Sequence, residues 1–264
     1  MASSKAPLSA LILAGRRNAA GDPLDEYAGG HKAFLDIGGK PMIERVMDAL
    51  AGVSDVSERQ IAAPDDVHAR LQAKTDGPPP VRFVETAGSP SRTVYQALKS
   101  APAGGNLLVT TCDHALLTSE IIEDFLHQID TDEYDAAAAC VTRDVYMAAY
   151  PNTKRTFVRF RDFEFSGANL FWFKVGRAEP LIEFWRRLED NRKKPAKMAA
   201  EIGLFTGVLY LAGLLSKDAA MKKVRRKTGV RVGLLPLKFA EAAIDVDKPE
   251  DIDLVRAITN MTRS

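Results

Sequence analysis

The period of the apolar positions changes repeatedly along the chain, and the changes mark out its elements. Residues 9–13 form an apolar run of strand length that stops at Ala14-Gly15, where side-chain bulk vanishes. Residues 33–37 read as a short extended piece and Gly38-Gly39 as a turn. Pro41 suits a first helical turn, and Met42, Ile43, Val46, Met47 and Leu50 then recur at helical spacing. The alternation continues with a strand over 59–62, a helix over 64–73, a loop over 76–80 and a strand over 81–84. A turn at 87–90 leads to a helix over 92–99, with Val94, Ala97 and Leu98 on one side, and to an apolar strand over 106–111. Thr118 is placed to cap a helix over 119–129, with Glu120 in its favourable first turn. Strands and helices in this rotation predict an α/β fold of Rossmann-like type, with a mostly parallel central sheet flanked by helices. Ligands bind beyond the carboxyl ends of such strands, so the Gly15 loop and Asp113 fall on one edge.

The second half departs from that rhythm, adding mixed strands and extra helices. Residues 135–141 make a strand of small residues, and 156–165 alternate apolar and charged, as in a half-exposed strand or hairpin. Residues 166–169 break that pattern and 170–173 start another strand. Helical patterning follows over 179–191, then a basic connector over 192–197, then helical pieces over 198–215 and 217–227. Short strands over 230–235 and 242–246 precede a closing helix over 249–260. The most apolar stretch, 202–215, is 14 residues long, below the roughly 18–20 that span a bilayer. It reads as a buried helix pair or hairpin, with a membrane-surface or dimer contact as the alternative. The oligomeric state, monomer or homodimer, is left open.

Composition narrows the class. The chain has 264 residues, 46% of them hydrophobic, enough for a sizeable core. A net charge of +1, from 36 basic and 35 acidic residues, gives no global reason to expect nucleic-acid binding. The first residues make a poor signal peptide, because the apolar run is brief and leads straight into arginines. Cys112 and Cys140 are widely spaced and read as thiols of a cytoplasmic protein.

The candidate chemistry lies at the predicted strand ends. Asp113 could hold Mg²⁺ through hard oxygen ligands, or bond nearby backbone N–H groups in a strand-to-helix turn. Asp245 and Asp247 alternate on one face of a predicted strand and form a second acidic site. Asp247 also fits an N-cap with Glu250 as its capping-box partner, and solvent exposure would account for Asp245. Lys32, Arg16 and Arg17 surround a Gly-containing loop and could hold triphosphate oxygens, or be surface cations. Arg92 opens a helix whose N-terminus is electropositive, or is a surface Arg. Gly167 and Asn169 suit a turn needing a left-handed glycine, or a polar turn that bonds an acceptor. His31, His68, His114 and His127 show no metal-ligand spacing, although His114 follows Asp113. There is no G-x-x-x-x-G-K-[ST] loop, no G-x-G-x-x-G fingerprint and no nucleophile elbow.

The order of these features resembles the MobA-like nucleotidyltransferases. Their opening L-A-[AG]-G-x-G-x-R-M is similar to LILAG at 11–15, their following Lys to Lys32, and their G-[KR]-P-[ML]-[IL] to GKPMI at 39–43. Their [ST]-V-x-x-A-L segment with an Arg before it resembles 92–98, and their apolar strand ending in a metal-binding Asp resembles 107–113. D-x-[DN]-x-P-E-D-[IL] is similar to 245–252, and the acceptor-side Gly-x-Asn turn to Gly167 and Asn169. The resemblance runs from residue 8 to 257. It implies one domain over 1–264: a nucleotide-binding half to about 142, an acceptor-side insertion over about 143–241, and a closing strand and helix.

It further implies Mg²⁺, or Mn²⁺, held by Asp113 with Asp245 or Asp247. Leu13, Ala14, Gly15, Arg92 and Thr93 would bind nucleotide, and Lys32, Arg16 and Arg17 would stabilise growing charge. Gly167 and Asn169 would bind a phosphorylated small-molecule acceptor. The nucleotidyl group would come from a nucleoside triphosphate, CTP or GTP favoured, with release of pyrophosphate. The family's second glycine is replaced around Arg16-Arg17 and the loop to Lys32 is unusually long, so arginine contacts are expected to stand in part for backbone cradling. The alternatives are a metal-dependent glycosyltransferase, against which Thr111-Cys112-Asp113 lacks the usual D-x-D, and a non-catalytic nucleotide-binding module.

Overall fold

The computed structural model describes residues 6–16, 22–72, 75, 77–191, 201 and 203–261. Its centre is β1 (Leu8–Leu13), flanked in parallel by β2 (Val56–Ala62) and β4 (Asn106–Thr111), with β3 (Val81–Val84) beyond β2. β7 (Glu164–Lys174) runs antiparallel on the other side of β4. β5 (Ala136–Thr142) and β8 (Val232–Pro236) then continue the sheet, parallel to each other and antiparallel to β7. β6 (Val158–Arg159) pairs with β7 off this path. The eight-stranded sheet is thus mostly parallel, with β7 as the reversed strand.

A strand covered on both faces must be apolar throughout. In β1, Ala10 and Ile12 join one cluster with Val46, Leu50, Ile121 and Phe125. Leu11 joins the opposite cluster with Val94, Leu98 and Ile182. The first face is therefore covered by α1 (Met42–Ala51) and α4 (Ser119–His127), the second by α3 (Pro90–Ser100) and α6 (Glu179–Asn191). The short α2 (Asp65–Leu71) follows β2 and buries Val67 and Leu71. Thr118 caps α4 as expected, accepting from Ile121 N at 3.4 Å.

Four expectations about elements are corrected. Residues 33–37 are not extended: Lys32–Phe34 is a 3₁₀ turn, capped by His31 Nδ1 accepting from Ala33 N at 3.1 Å, and Asp36 makes a lone bridge to Pro41. Residues 242–246 are not a strand, because Ala240–Ala243 coils into a 3₁₀ turn. Residues 166–169 do not break a strand, since β4 and β5 both bond along β7. Between the pairs Ala138–Phe171 and Cys140–Gly167, β5 advances two residues and β7 four, and the bulge is absorbed by Asn169 at φ 40°. The left-handed residue is thus Asn169 and not Gly167. Asn tolerates this region where branched residues do not. We expect Asn169→Val to lower unfolding stability by about 1–2 kcal/mol, and Asn169→Gly, which keeps the left-handed backbone but loses the side-chain bond to Asp245, to lower it less, as read by urea denaturation.

The fourth correction concerns 202–215. Both sheet faces are already covered, and the stretch reaches the surface: Leu211, the last residue of α7 (Leu204–Leu211), is 87% and Leu214 58% exposed, while Leu215 is buried. No helix among the described residues is long and apolar enough to cross a membrane. The basic connector expected over 192–197, the start of the helix expected from 198, and residues 73 and 76 lie outside the described residues. α5 (Arg143–Ala149), which seats the buried Tyr146, had no counterpart in the sequence reading. α8 (Lys217–Thr228) and α9 (Pro249–Met261) complete the chain.

The far half of the sheet is pinned by one ion pair. Arg231 Nε and Nη2 donate to Asp135 Oδ2 and Oδ1 at 2.9 and 2.8 Å, and Arg231 N also donates to Oδ2. The Arg231 hydrogen bonds hold the Asp135 carboxyl at about 2 against the opposing effect of burial. A depressed carboxyl stabilises the fold above its unfolded value and loses that contribution as pH falls through its folded value. Asp135→Asn should therefore lower the melting midpoint by about 3 °C at pH 7. The gap to wild type should close between pH 4 and 2, as followed by circular dichroism.

Candidate active site

β1 and β4 lie side by side with Leu13 opposite Thr111, while β2 and β3 turn one way from β1 and β4 the other. That divergence makes a crevice at the strand ends. Cys112 N donates to Leu13 O at 3.0 Å and Ala14 N to Ala62 O at 2.8 Å, which fixes the strand exits. A Cβ at Gly15 would come within 3.3 Å of Thr86 Cγ2, so glycine lets the loop after β3 close against β1. The same loop delivers the N-terminus of α3 to this edge. Ser89 caps it, and the buried Thr93 Oγ1 accepts from Ala87 N and donates to Ser89 O, both at 3.0 Å. Arg92 stands half exposed on this turn, 3.5 Å from Asp190 Oδ1.

Lys32 is the centre of the crevice. Its side chain is 6% exposed, and its ammonium lies 2.7 Å from Asp113 Oδ2, 3.3 Å from Asp22 Oδ2 and 3.7 Å from Asp247 Oδ1. Asp113, at the end of β4, also accepts from Thr111 Oγ1 at 2.5 Å through Oδ1. Asp22 Oδ1 accepts from Leu24 N at 3.0 Å, whereas the buried Oδ2 has no hydrogen-bond partner. The structure thus brings Lys32, Asp113 and Asp247 together and adds Asp22.

Asp25 organises the loop behind them. Its Oδ1 accepts from Lys32 N at 2.8 Å and its Oδ2 from Asp22 N at 3.0 Å. Burial would raise this carboxyl, but those two backbone donors and the nearby Arg16 and His31 hold it below the usual range. Arg16 reaches back over the loop to Asp25 Oδ2 at 3.2 Å, Gly30 O at 2.9 Å and Asp66 Oδ2 at 2.7 Å. Its guanidinium is spent on tying the loop to α2 in this state. Arg17 lies outside the described residues.

Asp245 and Asp247 part company. Asp245 Oδ1 accepts from Arg155 Nη1 at 2.8 Å and Oδ2 from Asn169 Nδ2 at 3.3 Å, and Arg155 Nε also binds Ser166 Oγ at 2.8 Å. Burial opposes ionisation of Asp245, and Arg155 overcomes it, so the carboxyl sits below its ordinary value. Asp247 faces Lys32. From the first turn of α9, Asp251 Oδ2 reaches back to accept from Asp247 N and Lys248 N at 3.0 and 3.1 Å. Val246 N donates to Asp113 O at 3.0 Å and locks this segment against β4. Gly167 lies on β7 with open space where a Cβ would stand, two residues from Asn169.

Two further groups complete the floor. His114 is buried with Nδ1 3.3 Å from Thr110 Oγ1, and burial pushes its pKa down to about 4, so it is neutral near pH 7. The Cys112 thiol is pushed up to about 12 by burial and by Asp113, which makes it a poor nucleophile.

Among the described residues no three His, Cys, Asp or Glu side chains stand ready around a metal. Asp22, Asp113 and Asp247 instead surround an ammonium. Their oxygens are the hard donors that Mg²⁺ or Mn²⁺ prefers, and Asp22 Oδ2 makes no hydrogen bond beyond its 3.3 Å ion pair with Lys32. Asp113 and Asp247, two carboxylates facing one cation, have the chemistry that suits a divalent ion in its place. Sequence reasoning missed Asp22, Asp25 and Arg155. The Asp-x-x-Asp spacing around Pro23 was an available turn signal for the first two.

Comparison with known proteins gives the chain a family and its fold a set of likenesses. A family model described as the MobA-like NTP transferase domain matches residues 10–191. A hypothetical transferase from Thermus thermophilus is 27% identical, with a TM-score of 0.77, covering 94% of this chain and 99% of its own. A 4-diphosphocytidyl-2C-methyl-D-erythritol synthase from Anaerococcus prevotii is 13% identical, TM-score 0.58, covering 97% and 96%. A CMP:2-keto-3-deoxy-manno-octonic acid synthetase complexed with CTP is 17% identical, TM-score 0.59, covering 97% and 100%. These last two likenesses concern the fold. No curated protein matches the sequence.

Proposed function

The chain belongs to the MobA-like NTP transferase domain family and is a nucleotidyltransferase, and we propose that it moves a nucleotidyl group from CTP or GTP to a phosphorylated small molecule, releasing pyrophosphate. The observation that carries the reading is Lys32 held among Asp113, Asp22 and Asp247 beyond the paired ends of β1 and β4. The backbone of Leu13, Ala14 and Gly15 would line the crevice, and Arg92 and Thr93, in the first turn of α3, would close it. These residues would seat the triphosphate, with the α3 N-terminus toward its negative charge. Gly167 and Asn169, on the far side with Asp245 and Arg155, would seat the acceptor. We read the region over about 143–241 as the acceptor side of a single domain.

In the proposed reaction an acceptor phosphate oxygen attacks the α-phosphorus in line. A new P–O bond forms as the bond to the β-phosphate oxygen breaks, and pyrophosphate carries the electron pair away. An acceptor that is already anionic needs no general base, so neutral His114 is not required to move a proton. The chain's task is positioning and charge neutralisation. Lys32 would meet the negative charge that grows on the phosphate oxygens. Asp113, with Asp247, would hold Mg²⁺ or Mn²⁺, which when bound supplies further neutralisation of those oxygens. Arg16 serves this site by fixing the loop that carries Lys32. A cytoplasmic location belongs to the same reading, supported by the two buried, unpaired thiols.

The test is a panel of CTP, GTP, ATP and UTP with Mg²⁺. One triphosphate at about a hundred times its Kd should stabilise the protein by roughly 2.7 kcal/mol, seen as a raised melting midpoint. The same one should release pyrophosphate when phosphorylated acceptors are added. If none of the four moves the midpoint, the proposal fails. A shift with nucleotide sugars alone would point to glycosyl transfer.

A further inference from the structure

We propose that the exposed apolar tip of α7 and the basic flank of α8 form one surface that docks this protein on an anionic lipid bilayer. The proposal goes beyond the reaction above and does not depend on it.

Of the six large apolar side chains left exposed among the described residues, three stand within five positions: Tyr210, Leu211 and Leu214. A fourth, Val158, lies on β6, two residues before Phe160, whose ring meets Tyr210 edge-on at 6.3 Å. Single exposed apolar residues are ordinary, whereas a cluster of them marks a contact surface. The turn that presents them is fixed. Leu209 O accepts from Leu214 N at 2.8 Å and from Leu215 N at 3.1 Å, and Arg161 N donates to Leu215 O at 2.8 Å. Leu215 is buried beneath the turn, so Leu211 and Leu214 are held outward on an anchored tip.

The next element supplies the charge. Ser216 caps α8 directly after the tip, and α8 carries six basic residues against one acid, Asp218, and buries none of its side chains. Two of the six, Lys222 and Arg225, line a cavity with Asp130, Asp132 and Glu133. Lys223, Arg226 and Lys227 share the other flank at i, i+3 and i+4. Lys223 Nζ would stand 3.2 Å from a Cβ at Gly203, just before α7 begins, which sets that flank beside α7. An apolar tip that enters the headgroup layer beside lysines and arginines that meet its anions is the chemistry of peripheral membrane binding. The charge argues against a second copy as the occupant: a two-fold contact brings the same patch together, and would set one basic flank against the other. The tip is also small against the roughly 800 Å² that each partner buries in a stable protein complex, whereas a bilayer asks for no matching shape.

The experiment is co-sedimentation of the full chain with vesicles, without nucleotide, so failure of the nucleotidyltransferase reading leaves its outcome unmoved. Vesicles of equal parts phosphatidylglycerol and phosphatidylcholine should bind the protein at least about 10-fold more tightly than phosphatidylcholine alone. Raising the salt from about 0.1 M to about 1 M, which shortens the screening length from roughly 10 to 3 Å, should remove most of that difference. Arg226→Gln with Lys227→Gln should weaken binding to the anionic vesicles roughly 20-fold, at about fivefold per charge. Leu211→Ser with Leu214→Ser should weaken it about 10-fold. All four side chains are exposed, so both variants should melt as wild type does. The proposal is overturned if wild type binds the two kinds of vesicle equally, or if either pair of substitutions leaves anionic binding unchanged. It is also overturned if analytical ultracentrifugation shows a dimer that the leucine pair converts to monomer, because the tip would then belong to a second copy of the chain.

Discussion

Asp113→Ala is expected to cut pyrophosphate release at saturating triphosphate by about 10³-fold while the protein remains folded. Asp113 closes β4 at the point where the sheet diverges, and both of its oxygens are engaged, with Lys32 and with Thr111. No neighbour can take over that position, because Asp245 is turned to Arg155 and Asn169. The structural cost is smaller. Lys32 keeps Asp22 and Asp247, so its charge is not stranded, and loss of the hydrogen bonds costs roughly 1–3 kcal/mol against a total of about 5–15. A coupled pyrophosphate assay beside a circular dichroism melt separates the two effects. Activity within tenfold of wild type would remove Asp113 from the site.

Lys32→Met combines a stability loss with a rate loss. Without the ammonium, the buried Asp22 and Asp113 lose the cation between them, with the part-exposed Asp247 beside them, and breaking a buried ion pair from one side costs about 3–5 kcal/mol. The variant should therefore unfold at clearly lower denaturant in chelator-treated buffer. Mn²⁺ added alone should restore part of the loss, since a ligand bound only by the folded state stabilises it. The rate should fall about 10²-fold even with triphosphate saturating, because a positive charge placed for the transition state is gone. Unchanged stability would mean that the three carboxylates do not depend on the ammonium.

The parts of this molecule that were legible in the sequence depend on local pattern. The strand over 106–111 and the helix over 179–191 read to the residue, because an apolar run and a 3.6-residue stripe are each sufficient. Asp113 and Lys32 stood out because chemistry gathers at strand ends. What was not legible depends on partners distant in sequence. Arg16 was read by its charge, but its role is set by Asp66, fifty positions away. Arg155 carries no signal until Asp245 is laid beside it. Gly167 and Asn169 looked like a turn because Ser, Gly and Asn usually make one. Strands on both sides overrode that preference and turned it into a bulge. The surface position of Leu211 and Leu214 was hidden for the opposite reason: composition cannot show that both sheet faces are already occupied.

The bond from Val246 N to Asp113 O has a consequence for the order in which this enzyme becomes competent. Asp113 leaves the ribosome early, with β1 and the Lys32 loop already made. Asp247, the carboxylate across from it, emerges only after all eight strands. A nascent chain that has formed its sheet and its cationic loop still lacks that wall, and no earlier segment can substitute for it. On the proposed reading of Asp247, a chain cut off before residue 245 would fold around an unfinished site.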